Sequence, residues 1–275
     1  MAAAVQIGPI RIGEGAPLAL IAGPCALEDE AHALRTAEHL VRVAAEAKVP
    51  FVYKSSYDKA NRSALGSYRG PGLRAGLKIL ARVREAFGCP VLSDVHLPDE
   101  VLPAAEVLDC LQIPAFLSRQ SALITAAAKS GRAVNVKKGQ FMAPTDMAQA
   151  VEKVTAAGGE KILLTERGTT FGYGDLVVDM RGLVVMRALG WPVVFDATHS
   201  LQQPGGAVSG GRPEFTIPLM RAAVGCGVDG VFFETHPDPA HALSDAATQL
   251  PLAEAEAFLD EAQRVHEAAG SRAHA

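Results

Sequence analysis

The sequence lacks the features that mark secreted, membrane-spanning or nucleic-acid-binding proteins. Its four cysteines, in 275 residues, include no Cys-x-x-C pair, so they predict no disulfide framework, and a reducing compartment such as the cytosol is the expected location. The longest apolar stretch near the start, residues 16–26, is too short to span a bilayer and has no basic flank typical of a signal peptide. No run of Lys or Arg offsets a formal net charge of −4, which favours small-molecule partners over nucleic acid.

The chain does contain enough apolar residues for a sizeable core. Apolar residues make up 49% and charged residues 20% of the sequence, which is typical of a globular protein with one large domain or two small ones. Eight short apolar runs are candidate strands; they cover residues 17–23, 50–56, 89–95, 110–116, 133–139, 161–167, 191–197 and 229–235.

Amphipathic segments lie between these runs. Residues 29–47, 73–87 and 122–129 repeat apolar residues at three- and four-residue spacing, which predicts helices. Eight strand–helix repeats with strands apolar on both sides are typical of a (β/α)8 TIM barrel, and a doubly wound parallel sheet is the alternative. The leading VQIGPIRIG alternates around a Gly-Pro turn and predicts a hairpin, within residues 1–15, that closes the barrel floor. We therefore expect one domain over residues 1–275, with a frayed tail at 270–275.

Polar residues follow every predicted strand, at the end where barrels carry their chemistry. They are Cys25, Lys54, Asp94, His96, Gln112, Asn135, Lys137, Lys138, Glu166, Arg167, Asp196, His199, Glu234 and His236. The simpler explanation is that a strand ends where the core stops, but this accounts only for polarity and not for the types of residue present.

Six cations are predicted to share this end of the barrel in a chain that is acidic overall. Any one of them alone is more often a solvated surface charge, but together they favour an anionic, phosphorylated substrate. They are Lys54, Lys59, Arg62, Lys137, Lys138 and Arg167.

Four further residues form a candidate metal site. Cys25, His199, Glu234 and Asp245 lie on or after strands that are neighbours in a closed barrel, and their mixed S, N and O donors suit Mn²⁺, Fe²⁺ or Zn²⁺. Two of them have a simpler reading: a lone Cys25 is more often a buried apolar residue, and Asp245 in LSDAAT is compatible with a helix cap.

Long motifs carry a resemblance to a known family over residues 20–269. They are KSSYDKANRS, LQIPAFLSRQ, AVNVKKGQF, TERGTTFGYGDLVVDMR, FDATHSLQQPGG and FFETHPDPAHALSDAATQLPL. Together they resemble 3-deoxy-D-manno-octulosonate 8-phosphate synthase. The resemblance implies a barrel enzyme, usually a homotetramer in the cytoplasm, that condenses phosphoenolpyruvate with D-arabinose 5-phosphate for lipopolysaccharide biosynthesis.

A sister family, 3-deoxy-D-arabino-heptulosonate 7-phosphate synthase, uses erythrose 4-phosphate instead and is the alternative. It typically carries Lys-Pro-Arg-Thr-Ser where this chain has KANRS at residues 59–63, and the KANRS version resembles the arabinose 5-phosphate enzymes. Cys25 and the SDA at residues 244–246 resemble the metal-requiring branch, whereas a metal-independent branch has Asn at the cysteine position.

The resemblance also implies site roles. Phosphoenolpyruvate is expected at Lys54, Lys59, Gln112, Lys137, Arg167 and His199, and arabinose 5-phosphate at Asn61, Arg62, Ser63 and Asp94. A divalent ion is expected at Cys25, His199, Glu234 and Asp245, with His199, Asp245, Cys25 and Lys54 as the catalytic group.

Some questions stay open at this point. The glycine-rich stretch after Arg167 is expected to close around substrate, although such loops are often only mobile turns. Lys54 is also compatible with a Schiff-base aldolase, and the whole rim with a non-catalytic sugar-phosphate-binding barrel. His96 and His236 are open between a direct and a supporting role, and no role is expected for His32, His39 or His241.

Overall fold

A computed structural model describes residues 3–62, 64, 66–204 and 210–272, and its centre is a closed barrel of eight parallel strands. The strands are β1 (Val5–Ile7), β2 (Ile10–Ile12), β3 (Ala19–Gly23), β4 (Phe51–Lys54), β5 (Val91–Asp94), β6 (Cys110–Ile113), β7 (Ala133–Lys137), β8 (Ile162–Glu166), β9 (Thr169–Phe171), β10 (Asp175–Val177), β11 (Val193–Asp196), β12 (Gln202–Gln203), β13 (Gly210–Gly211), β14 (Gly230–His236) and β15 (Leu250–Pro251).

The barrel order is β3-β4-β5-β6-β7-β8-β11-β14, and β14 closes the ring by pairing in parallel with both β11 and β3. Every residue of these eight strands is buried, which explains why each appears in the sequence as a short continuous apolar run rather than an alternating one. The (β/α)8 prediction is confirmed, and the doubly wound alternative is wrong because the sheet closes on itself.

Helices connect the strands and cover the barrel. They are α1 (Glu30–Glu46), α2 (Leu73–Phe87), α3 (Pro98–Val107), α4 (Ser121–Lys129), α5 (Met147–Ala156), α6 (Met180–Arg187), α7 (Thr216–Gly225) and α8 (Ala255–Arg272). Short 3-10 turns occur at Ala115–Leu117, Pro144–Asp146, His199–Leu201, Pro213–Phe215, Pro239–His241 and Leu252–Glu254. Helix α1 begins where predicted because the Asp29 side chain accepts a hydrogen bond from the backbone N–H of His32 at 2.7 Å. Helix α8 continues to Arg272, past the predicted start of the tail.

The predicted N-terminal hairpin is present and plugs the floor of the barrel. Strands β1 and β2 pair antiparallel, with Val5 opposite Ile12. Val5, Ile7 and Ile12 are fully buried against a cluster of interior-facing strand residues that includes Ile21 and Val52. The hairpin therefore closes one end of the barrel with apolar contacts, and the carboxyl ends of the strands remain open at the other end. None of the described helices combines the length and the apolar composition needed to cross a membrane.

Candidate active site

A cavity opens at the carboxyl ends of the strands, as the fold predicts. Its volume, counted with the solvent-open mouth, is about 740 Å³, within the usual range for small-ligand sites. Eight of the residues predicted to bind substrate line it: Lys54, Lys59, Asn61, Asp94, Gln112, Lys137, Arg167 and His199. Residues from six different barrel strands or the loops after them therefore meet in one space.

The four predicted metal ligands converge beside this cavity. Ligand atoms of Cys25, Glu234 and Asp245 all lie within 4.8 Å of one another, and Cys25 Sγ is 3.4 Å from Asp245 Oδ2. His199 completes the group, because its Nε2 lies 3.5 Å from Glu234 Oε2 and 3.9 Å from Asp245 Oδ2. Residues separated by up to 220 positions in sequence are thus adjacent in space.

Three properties of this cluster fit a divalent cation. Glu234 Oε2 is buried without a hydrogen-bond partner among the described residues, which is costly unless a ligand compensates it. Asp245 has a backbone φ of +48°, a conformation uncommon for a non-glycine residue and often retained at functional sites. Burial, helped by the charges of Asp245 and Glu234, raises the pKa of the Cys25 thiol, and a cation would offset both effects.

Asp196 orients His199. The Nδ1 atom of His199 lies 2.8 Å from Asp196 Oδ2, while Asp196 Oδ1 accepts from the backbone N–H groups of Thr198 and His199. Burial alone would raise the pKa of Asp196, but His199 and Lys137 lower it below its ordinary value. A carboxylate that holds one ring nitrogen leaves Nε2 directed at the cluster, which is the usual arrangement around metal-bound histidines.

The sequence analysis gave Asp196 no role beyond ending a strand. The Asp-x-x-His spacing at the end of β11 is the signal that points to its function.

Two lysines compensate the buried carboxylate of Glu234. Lys54 Nζ lies 2.5 Å and Lys59 Nζ 3.6 Å from Glu234 Oε1. Burial would raise the pKa of Glu234, but these two lysines hold it well below the ordinary value. Glu234 is therefore anionic and available as a ligand, and Lys54 is held beside it by this ion pair.

Arg167 provides a free donor at the cavity. Its Nη2 donates to Gln202 Oε1 at 2.8 Å, whereas Nη1 is buried and has no hydrogen-bond partner among the described residues. Nearby, Lys137 Nζ lies 2.5 Å from Asp196 Oδ2 and 4.2 Å from the centre of the Phe232 ring. A buried guanidinium with an unsatisfied N–H group is a natural partner for an anionic oxygen.

Four side chains from successive strands form a hydrogen-bonded chain across the barrel. Gln112 Nε2 donates to Asp94 Oδ1 at 2.7 Å, Asn135 Nδ2 donates to Gln112 Oε1 at 2.9 Å, and Thr165 Oγ1 donates to Asn135 Oδ1 at 2.7 Å. These bonds fix the orientations of Asp94 and Gln112 in the cavity wall. The sequence analysis assigned no role to Asn135 or Thr165, because their types alone do not distinguish a strand end from a positioning network.

Two of the six predicted cations, Arg62 and Lys138, pair with carboxylates at this end of the barrel instead of lining the cavity. Arg62 Nη1 pairs with Asp245 Oδ1 at 3.1 Å, and Arg62 also contacts Ser244. Lys138 Nζ lies 3.4 Å from Glu166 Oε1 and donates to Thr169 Oγ1 at 2.9 Å. Because successive residues of a strand point to opposite sides, Lys137 and Lys138 cannot both face the cavity.

The remaining predicted residues are placed as follows. His96 lines the cavity, with its Nδ1 3.6 Å from Glu100 Oε2, while His236 Nε2 lies 3.4 Å from Glu28 Oε1 instead. Ser63 lies outside the described residues. The stretch after Arg167 forms an exposed hairpin of β9 and β10 with Phe171 opposite Asp175, and its closure around substrate stays a prediction.

The model of the DAHP synthetase I family matches residues 2–270. A curated protein named 2-dehydro-3-deoxyphosphooctonate aldolase from Trichlorobacter lovleyi is 56% identical over 261 residues, which cover 94% of this chain and 96% of the relative. Proteins of the same name are 56% identical in Syntrophotalea carbinolica, over 94% of both chains, and 55% identical in Geobacter metallireducens, over 90% of this chain and 92% of the relative.

Proposed function

Because this chain belongs to the DAHP synthetase I family, we propose that it is the same enzyme as its 52–56% identical relatives. Their name, 2-dehydro-3-deoxyphosphooctonate aldolase, is another name for 3-deoxy-8-phosphooctulonate synthase. The proposed reaction joins phosphoenolpyruvate, D-arabinose 5-phosphate and water to give 3-deoxy-D-manno-octulosonate 8-phosphate and inorganic phosphate. The observation that carries the proposal is the meeting of Lys59, Lys137 and Arg167 in one cavity beside the Cys25 cluster.

Phosphoenolpyruvate is the first ligand that this cavity fits. Its phosphate and carboxylate need several cationic donors to replace lost hydration, and Lys59, Lys137 and Arg167 offer them from separate strands. The unpartnered Nη1 of Arg167 supports a direct hydrogen bond to one of these anionic groups. Lys54, Gln112 and His199 line the same cavity and are proposed to complete this site.

Arabinose 5-phosphate is proposed to bind on the side of Asn61, Arg62, Ser63 and Asp94. Asn61 and Asp94 line the cavity, and Asp94 is an anionic acceptor suited to a sugar hydroxyl because Lys54 and Lys59 overcome burial and lower its pKa. Arg62, now paired with Asp245, would have to exchange that carboxylate for the substrate phosphate.

A divalent ion, Mn²⁺, Fe²⁺ or Zn²⁺, is proposed as cofactor, held by Cys25, His199, Glu234 and Asp245. When bound, such an ion supplies Lewis-acid polarisation of an oxygen and a lower pKa for a coordinated water. Asp196 keeps His199 Nε2 directed at the cluster, and Lys54 keeps Glu234 anionic.

The condensation requires two carbons and one water to be aligned. The methylene carbon of phosphoenolpyruvate attacks the aldehyde carbon, water adds at the neighbouring enol carbon, and the resulting hemiketal phosphate expels phosphate with cleavage of its carbon–oxygen bond. Holding both substrates in attack geometry is worth roughly 7 to 11 kcal/mol in favourable cases, so positioning by the cavity is the largest contribution that these residues supply. Asp245 is proposed to accept or return a proton beside the aldehyde.

A Schiff-base aldolase mechanism at Lys54 is disfavoured by the ion pair with Glu234. At 2.5 Å the carboxylate stabilises the ammonium form of Lys54, whereas nucleophilic attack requires the neutral amine. Borohydride added with both substrates should therefore leave Lys54 unmodified, and mass-spectrometric detection of a reduced adduct on that residue would establish the aldolase reading instead.

Phosphate release with each aldose phosphate tests the proposed function. Purified protein with phosphoenolpyruvate should release phosphate when arabinose 5-phosphate is added, with kcat/KM at least about tenfold above that for erythrose 4-phosphate, since the site must hold the longer sugar by an additional polar contact. Chelation should abolish release, and Mn²⁺ should restore it. Preference for erythrose 4-phosphate would overturn the substrate assignment, activity that survives thorough chelation would overturn the metal assignment, and release with neither sugar would favour a binding barrel.

We also propose an oligomeric state and a cellular location. Large apolar side chains are exposed at Phe116, Phe141 and Leu102, which supports association of chains, and a homotetramer is the proposed state. All four cysteines are free, which is compatible with the proposed cytoplasmic location. A role in lipopolysaccharide biosynthesis is proposed from the reaction alone. Light scattering coupled to size exclusion tests the tetramer directly.

A further inference from the structure

A second group of ligand-type side chains lies on the far side of the Cys25 loop. Glu28, His32 and His236 each offer a ligand atom, and the three atoms lie within 4.8 Å of one another. Glu28 follows β3 in the loop that contains Cys25, His32 is in the first turn of α1, and His236 is the last residue of β14. From the sequence alone, no role was expected for His32, and His236 was open between a direct and a supporting role.

The histidines of this group are buried and incompletely satisfied. His32 is 5% and His236 7% exposed, and their ring centres are 4.6 Å apart. Neither ring nitrogen of His32 has a hydrogen-bond partner among the described residues, and neither does Nε2 of His236. Leaving three buried ring nitrogens without partners costs free energy, which a ligand bound between them would recover.

The surroundings hold His236 and Glu28 in position. His236 Nδ1 lies 2.7 Å from the carbonyl oxygen and 3.0 Å from the backbone nitrogen of Asp238, so the ring is held through Nδ1, while Nε2 has no hydrogen-bond partner among the described residues. Glu28 Oε1 accepts from the backbone N–H of Leu243 at 3.0 Å, which fixes the carboxylate. A ring held through its other nitrogen and an anchored carboxylate are the supports that metal ligands usually have.

The spacing also fits an ion. With bonds of about 2.0–2.2 Å, two ligands of a tetrahedral ion lie roughly 3.4 Å apart. His236 Nε2 and Glu28 Oε1 are already 3.4 Å apart, and the His32 ring needs only a side-chain adjustment to join them.

We propose that Glu28, His32 and His236 bind a second divalent transition-metal ion, of the borderline class of Zn²⁺ or Co²⁺. Two imidazoles and one carboxylate match the preferences of that class. The ion would link the end of β14 to the start of α1, and so tie together the two segments that carry Glu234 and Cys25. This site is separate from the Cys25 cluster, and neither site requires the other to be occupied.

Metal titration of the full-length chain tests the proposal without reference to activity. Chelator-stripped protein is titrated with Co²⁺, followed by calorimetry and by absorption, because only a site containing Cys25 gives a thiolate-to-cobalt charge-transfer band. We expect about two equivalents per chain, since each cluster provides the ligands for one ion. His32→Leu should bind about one equivalent and keep the band, and Cys25→Ala should bind about one and lose it. His39→Leu, on the same helix α1 but outside the group, is the matched control and should bind as the parent does.

The outcomes for the two sites are distinguishable. If His32→Leu binds as much Co²⁺ as the parent, the second site does not exist and the buried histidines are only a packed pair. If the band is absent from the parent while one equivalent still depends on His32, the second site stands and the proposed cofactor site falls. Should His32→Leu fail to fold by circular dichroism, Glu28→Gln, whose side-chain oxygen can still accept from Leu243, replaces it. In that variant the affinity for the second Co²⁺ ion should fall by at least about tenfold. This is the lower end of the loss seen even for residues that only support a metal ligand. Unchanged affinity would overturn the proposal.

Discussion

The floor and the rim of this barrel are built from the same strands and have opposite chemistry. At the floor, Val52 and Phe232 pack against the N-terminal hairpin, and every member of that cluster is apolar. Two residues further along each strand stand Lys54 and Glu234, ion-paired at the rim. Because side chains alternate along a strand, a step of two stays on the interior side and moves up one layer. The pattern holds on seven strands, which pair Val52 with Lys54, Leu92 with Asp94, Cys110 with Gln112, Ala133 with Asn135, Leu163 with Thr165, Val194 with Asp196, and Phe232 with Glu234.

This layering separates stability from chemistry. The apolar layer has no polar side-chain groups to leave unsatisfied, whereas Glu234 Oε2 and Arg167 Nη1 in the polar layer have no hydrogen-bond partner within the described part of the chain. Substitutions at the floor should therefore change the free energy of unfolding, and substitutions at the rim should change turnover.

The largest effect is expected at Arg167. Arg167→Met removes the unpartnered N–H donor at the cavity, and kcat/KM for phosphate release should fall by about 10² to 10³ because a preorganised donor to an anionic group is lost. The melting temperature should change little. Arg181→Met, at an exposed arginine paired with Asp179, is the control and should keep full activity. Equal losses of kcat/KM in both variants would show that the effect does not depend on the position of Arg167 at the cavity.

A floor substitution should give the reverse result. Ile7→Ala leaves a cavity beneath the barrel and should lower the free energy of unfolding by about 2 to 5 kcal/mol, as measured by urea denaturation, with kcat/KM within about twofold. Val184→Ala, at a half-exposed position of α6, should cost less than about 0.5 kcal/mol. Loss of turnover in a fully folded Ile7→Ala protein would mean that the two layers are mechanically coupled.

Asp196 tests a rim residue that acts through its neighbours Lys137 and His199. Asp196→Asn keeps the shape of the side chain but removes the charge that holds Lys137 and His199, so kcat/KM should fall about 10- to 100-fold, as for other residues that support metal ligands. Asp260→Asn on the outside of α8 is the control. A loss confined to KM for phosphoenolpyruvate would indicate that Asp196 acts through Lys137 alone.

The smallest effect concerns pH. Asp94 at the rim and Asp229 at the floor are both 7% exposed, but their pKa values shift in opposite directions. Burial alone would raise the pKa of Asp94, but the charges of Lys54 and Lys59 lower it. Burial raises the pKa of Asp229, although the Val193 N–H group and Arg187 partly oppose this. Because the pKa of Asp94 is lower in the folded than in the unfolded state, Asp94 stabilises the fold at pH values above its unfolded-state pKa, near 4. This stabilisation is lost as the pH falls through the folded-state pKa. A raised pKa gives stability that is present below the unfolded value and lost as pH rises through the folded one.

Denaturant unfolding across the acid range measures these opposed contributions. Asp94→Asn should remove part of the loss of stability toward low pH, and Asp229→Asn should remove part of the loss toward higher pH. Shifts of the same sign in both variants would contradict the opposed pKa directions.

Much of this organisation was predictable from the sequence, for identifiable reasons. Strands buried on both faces appear as uninterrupted apolar runs, so all eight were found, and the motifs identified Cys25, His199, Glu234 and Asp245 before any coordinates. The same uninterrupted burial hides which side of a strand faces inward. For that reason Lys138 was grouped with Lys137, although it pairs with Glu166.

The sequence also could not indicate which residue pairs with Arg62. Arg62 was assigned to a substrate phosphate on motif alone, and its ion pair with Asp245 depends on how two loops distant in sequence approach each other. The second histidine group was missed because Glu28, His32 and His236 form no recognisable spacing and meet only through the closure of the barrel.

Strand β15 is only two residues long, but its pairing with β14 limits the positions that Asp245 can occupy. Its pairing of Leu250 with Thr235 returns the chain to β14 only a few residues after the aspartate, so the segment between them is a short tether fixed at both ends. We expect that lengthening or shortening that tether by a single residue would move the Asp245 carboxylate away from Cys25. Insertions between residues 245 and 250 should therefore disrupt the Cys25 cluster.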